Sequence, residues 1–121
     1  YALGNYLRLA DSDSMRLAVY TSAAGVPSTL VAYTALTSLA SESAGSFVEL
    51  DVVGAPVSIS AGTYFICEKF SGTTYMGYTT SGASGNTIYY NSLSSSSAFP
   101  ASWGSASTFT GQYLNLYMVV R

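Results

Sequence analysis

Apolar and polar positions alternate along this chain in short runs, the period of half-buried β-strands. The run SFVELDVV (46–53) is the cleanest, with Val48, Leu50 and Val52 on one face and Glu49 and Asp51 on the other. In MRLAVYT (15–21), Met15, Leu17 and Val19 share a face. In NYLRLAD (5–11), Leu7 and Leu9 oppose Tyr6, Arg8 and Ala10. The closing run QYLNLYMVVR (112–121) puts Leu114, Leu116, Met118 and Val120 on one side. TLVAYTAL (29–36), PVSIS (56–60), TTYMGYTT (73–80) and NTIYYNSL (86–93) are further strand candidates. GTYFICEKF (62–70) is apolar on both faces and reads as a central strand covered on both sides.

Turn-forming clusters separate these runs: DSDS, AAGVPS, SESAG, VGAP, SAG, FSGT, SGASGN and the long SSSSAFPASWGSAS. In Gly25-Val26-Pro27, Gly25 supplies a positive φ and Pro27 stops the strand ladder, so this triplet is expected to mark the turn between two strands. No window has helical periodicity. About nine short strands with Gly, Pro and Ser turns predict an all-β, antiparallel β-sandwich, wound as a jelly roll, with residues 1–121 forming a single domain.

The segments MRLAVYTSAAGVPSTLVAYT and FVELDVVGAPVSISAGTYFICEKF resemble an extracellular β-sandwich module. It is similar to the jelly-roll, carbohydrate-binding-module-like domains of secreted prokaryotic surface proteins and phage tail fibres. The resemblance covers roughly residues 15 to 70. It implies a β-sandwich serving in adhesion, glycan binding or as a fibre spacer, and it carries fold more than activity.

Composition narrows the function classes. Charged residues make up only 8% of the chain, against about 25% in ordinary domains, so the polar surface comes from 21 Ser, 12 Thr and 11 Tyr. Such a surface repels its own copies weakly and suits contacts with protein or glycan. The net charge of −2 and four scattered Lys and Arg exclude a phosphate-binding patch, hence nucleic acid. No apolar run has the ~20 residues of a helical membrane span. The lone Cys67 forms no internal disulfide and reads as a buried thiol. The chain opens on Tyr1 without a leader-like segment, as expected of a processed mature chain or a piece of a longer one. The composition leans towards an extracellular or virion-surface location.

Catalytic chemistry finds little purchase. There is no His, which removes His-based acid–base and nucleophile systems. Assembly and any activity are therefore expected to be flat between about pH 6 and 8. Glu49 and Asp51 lie two residues apart on a solvent face, not across a sugar cleft. Asp11 and Asp13, in ADSDSM, are the only candidates for calcium, set against an ordinary turn in which Asp and Ser cap the backbone. No other cofactor is indicated.

Aromatics are the remaining signal. Trp103, Tyr75, Tyr78 and Tyr89, with the amide of Asn91, form a candidate glycan site, because aromatic faces and amides suit the C–H faces and hydroxyls of sugar rings. The expected function is a non-enzymatic structural or adhesive module of an extracellular fibre or virion appendage, partnered by copies of itself or adjacent fibre domains. The alternative is a carbohydrate-binding module docking on cell-surface glycans. Neither terminal run carries a Lys or Pro to blunt an edge, so a terminal strand is expected to pair or pack with a neighbouring copy or with an adjacent domain of a longer fibre protein.

Overall fold

A computed structural model describes the backbone of residues 2–9, 13–40, 42–54, 56–71, 74–76, 78–79, 87–90, 97–105, 107–110, 113–114 and 116–119. It describes their side chains too, except at 6–9, 42–44, 74–76, 78–79, 109 and 113–114. These residues are all-β, with twelve strands and no helix among them. In chain order the strands are β1 (Ala2–Leu9), β2 (Asp13–Ala23), β3 (Val26–Tyr33), β4 (Thr37–Leu39), β5 (Glu42–Asp51), β6 (Tyr64–Phe70), β7 (Thr74–Met76), β8 (Tyr78–Thr79), β9 (Thr87–Tyr90), β10 (Ser107–Thr110), β11 (Tyr113–Leu114) and β12 (Leu116–Val119).

Two antiparallel sheets face each other. The first has the order β12-β1-β5, with β7 pairing the far end of β1. The second has β2 at its centre, flanked by β3 and β4 on one side and by β6 on the other. Two ribbons, β9–β10 and β8–β11, and the isolated bridges Thr29–Ser102 and Thr34–Val52 complete the pairing among described residues.

The alternation anticipated from the sequence builds the layer between the sheets. Leu3 from β1 and Leu50 from β5 pack on Met15, Leu17 and Val19 from β2, with Val48, Val52, Tyr64, Phe70, Leu116 and Met118 around them. Glu49 and Asp51 are exposed on the opposite face of β5. A corner joins the sheets where Thr34 bridges Val52 and the Val53 N–H donates to the Tyr33 carbonyl at 2.9 Å.

A second apolar layer lies on the outer face of the β2 sheet. Ala18, Tyr20 and Phe99 are buried there, with Leu30, Phe65, Cys67 and Trp103 against them. The cover is the segment 97–105. It is pinned to β3 by the Leu30 N–H donating to the Ala101 carbonyl at 2.9 Å and by the Trp103 N–H donating to the Ser28 carbonyl at 2.8 Å. The Tyr20 hydroxyl adds a bond to the Pro100 carbonyl at 2.7 Å.

Three expectations change, and a fourth is narrowed. β6 is covered on both faces, but by pairing β2 is the central strand, because the described partner of β6 is β2 alone. The β2–β3 turn is Ala24-Gly25, whose φ values of 51° and 80° are those a two-residue hairpin turn of right-handed twist requires. Pro27 then lies inside β3 opposite Ser22, the second pair from a two-residue turn, a non-hydrogen-bonded position of an antiparallel ladder at which no N–H is needed. The run 56–60 forms no strand, although Val57 and Ile59 stay half-buried. Of the two terminal strands, β1 is not an edge: it pairs with β5 along its length and with β12 over Ala2 to Asn5, whereas β12 stands at the end of the sheet among the described residues.

Candidate functional site

The residues singled out from the sequence fall in different places. Trp103 is half-buried, its ring edge-on to Tyr20 at 5.1 Å between centroids and 81° between planes. Its indole Nε1 is buried with no hydrogen-bond partner among the described residues. The ring therefore anchors the 97–105 cover. Tyr89 stacks edge-on against Phe65 at 5.5 Å, and its hydroxyl donates to the Gly25 carbonyl at 3.1 Å, tying β9 to the hairpin turn. The side chains of Tyr75 and Tyr78, and all of Asn91, lie outside the described residues.

Asp13 is 5% exposed, and its Oδ1 accepts from the Ser14 N–H at 2.6 Å, the Ser71 N–H at 2.8 Å and the Ser71 hydroxyl at 2.7 Å. One carboxylate thus ties the start of β2 to the residue after β6, the capping role of a short acidic side chain. Asp11 lies outside the described residues. No cluster of metal-ligating side chains occurs among those described.

Cys67 is half-buried under the outer cover. Burial first, and the Glu68 charge second, push its thiol up to about 12. The thiolate is the nucleophile, so this cysteine is inert at neutral pH. Arg16 and Lys69 are cross-strand neighbours on the same face. Burial, then the Arg16 charge, pushes the Lys69 ammonium down. Both donate to the Ser97 carbonyl, and Lys69 also sits 4.8 Å from the centre of the Phe99 ring, so the two cations hold the cover in place.

An aromatic platform appears on the outer face of the first sheet, where sequence reading placed nothing. Tyr117, Gly4 and Glu49 form one row across β12, β1 and β5. Gly4 has no side chain, so the Tyr117 ring lies across it; a Cβ there would fall 2.3 Å from Tyr117 Cζ. The phenol reaches the third strand and donates to Glu49 Oε1 at 3.2 Å. Phe47, 70% exposed, meets the Tyr117 ring edge-on at 6.1 Å, and Asp51 is exposed further along the same face of β5. The arrangement is a ring lying flat on the sheet, a second ring beside it and two carboxylates along one edge. The sequence contains the parts, but only strand register puts them in a row.

Compared with known proteins, the chain matches no family model, no curated protein and no solved structure.

Proposed function

We propose that the chain is a non-enzymatic structural or adhesive module of an extracellular fibre or virion appendage, wound in jelly-roll fashion, that associates with copies of itself. The supporting observation is β5. Among the described residues this long strand pairs with β1 on one side only, up to the Thr34–Val52 bridge at its end. It carries Phe47 at 70% exposure and has no Lys or Pro. Lys and Pro are common blunting residues of an edge; without them, the part of β5 beyond the register shift opposite Leu7–Leu9 can take a further strand through main-chain hydrogen bonds, its carboxylates Glu49 and Asp51 on the sheet's outer face. The charge fraction of 8% adds little repulsion between copies.

Light scattering at increasing protein concentration tests this. The mass should exceed the 12.6 kDa of one chain, and Phe47→Lys should lower it while the melting temperature falls by no more than the few degrees that loss of the Phe47–Tyr117 edge contact explains. A single-chain mass at high concentration, or association indifferent to Phe47→Lys, overturns it.

A second reading, glycan binding, is favoured by one observation: the Tyr117 ring flat over Gly4, between Phe47 and the carboxylates. A sugar's C–H face stacks on such a ring while its hydroxyls donate to carboxylates. This moves the candidate surface from the C-terminal loop aromatics to a sheet face. Screening immobilised glycans with the wild type and with Tyr117→Ala separates the readings, since only the glycan module loses binding on that change.

A further inference from the structure

Glu68 lies mid-strand in β6, on the same face as Tyr64 and Phe70, and so points between the two sheets. Its cross-strand neighbour is Leu17, which is fully buried. Across the gap is Asn5 of β1, also fully buried, whose Nδ2 donates to Glu68 Oε2 at 2.5 Å. This bond uses half of each group. Asn5 Oδ1 and Glu68 Oε1 are both buried and have no hydrogen-bond partner among the described residues.

Both orphaned atoms are acceptors, and two acceptors cannot satisfy each other. An unpaired buried acceptor costs about 1–3 kcal/mol, more when charged. One proton on Oε1 changes the count: the acid O–H becomes a donor, and the Asn5 carbonyl oxygen is its available acceptor. We propose that Glu68 is a carboxylic acid in the folded protein at neutral pH and forms a reciprocal, two-bond pair with the Asn5 carboxamide, a proton-held latch between the sheets.

The surroundings agree. Among the described side chains, those facing Glu68 bring no cation. β2 contributes Met15 and Leu17, with Asp13 at its start held by Ser14 and Ser71; β5 contributes Val48 and Leu50, its Glu49 and Asp51 pointing out; β12 contributes Leu116 and Met118. From β6 itself, Tyr64 donates its hydroxyl to the Ser60 carbonyl, while Cys67 and Lys69 alternate onto the opposite face. Burial accordingly pushes the Glu68 carboxyl up to about 8, and the Asn5 hydrogen bond only partly opposes it.

The sign of the pH effect follows. The unfolded chain releases this proton near 4.5 and the folded chain near 8, so between these values the folded state binds one proton more. Stability from this group is full below about 4.5, falls as pH rises, and is lost above about 8. The flat response from pH 6 to 8 expected of a His-free chain is replaced by a slope.

The experiment is urea unfolding of the full chain at steps from about pH 5 to about 9, wild type beside Glu68→Gln. Gln keeps both bonds of the pair and cannot ionise. The wild-type unfolding constant should rise towards tenfold per pH unit over the lower part of this range, whereas that of Glu68→Gln should change far less. The infrared spectrum of the wild type at neutral pH should also contain a protonated-carboxyl band, a readout that stands even if the variant does not fold. A wild-type profile no steeper than that of Glu68→Gln, or a neutral-pH spectrum without that band, overturns the proposal.

Discussion

Replacing Gly4 with Ala adds one methyl group to an outward position of β1, and the platform makes the outcome calculable. The new Cβ would stand 2.3 Å from Tyr117 Cζ, 2.6 Å from its hydroxyl oxygen and 2.7 Å from Cε2. No carbon tolerates such distances, so the ring must swing away. Swinging breaks the hydroxyl bond to Glu49, about 0.5–1.5 kcal/mol, and the edge contact with Phe47, about 0.5–1.5 kcal/mol. Against this, Ala in a strand is better than Gly by roughly 0.5–1 kcal/mol. The net cost is centred on about 1 kcal/mol and at most about 2.5 kcal/mol, well short of unfolding a domain of ordinary stability.

The same change made in Tyr117→Ala should have the opposite sign. With the ring gone nothing obstructs the methyl, and only the backbone benefit remains. Four proteins complete a double-mutant cycle, read by urea unfolding, and the coupling should be about 1–3 kcal/mol. Equal costs for Gly4→Ala in both backgrounds would refute the reasoning, because they would place the obstruction in the strand and not in the ring lying across it.

Three other outcomes are expected. Deleting residues 1–6 should abolish the cooperative unfolding transition seen by circular dichroism, since it removes Leu3 and Asn5 from the inner layer and the partner of both β5 and β12. Trp103→Ala should cost about 2–3 kcal/mol in chemical denaturation, below the 3–5 kcal/mol of a fully buried aromatic because Trp103 is half-buried. Cys67 in the native protein at pH near 8 should react with iodoacetamide far more slowly than in urea, as its thiol pKa of about 12 dictates, and equal rates would place it outside the layer.

What was legible in the sequence was what period two controls. The runs at 15–21 and 46–53 have one apolar face each, and a one-residue slip would bury Glu49 and Asp51, so their orientation had one workable answer. What was not legible depended on neighbours that alternation does not name. Pro27 fits inside β3 because its place, the second pair from the turn, needs no N–H, and the run at 56–60 alternates without forming a strand. Trp103 sat in a stretch without period, and only the apolar outer face of the β2 sheet shows why the loop folds down on it. Glu68 did leave a trace. A strand apolar on both faces has no solvent side, so a carboxylate within it must point into one layer or the other.

Both unforeseen features meet on β1, on successive residues. Gly4 faces outward and lets Tyr117 cross to Glu49; Asn5 faces inward and meets Glu68. Pleating sends their effects to opposite sides of one sheet. A change at Gly4 should therefore alter the outer surface, and any partner that uses it, without altering the pH slope. A change at Asn5 should alter the pH slope and leave the Tyr117 platform in place. The two faces share one strand but no side-chain partner, so stability effects at the two positions should add to within about 0.5 kcal/mol despite their adjacency in sequence. Marked non-additivity in a Gly4→Ala, Asn5→Ala double variant would mean that β1 itself shifts, and would tie the platform to the latch through the backbone they share.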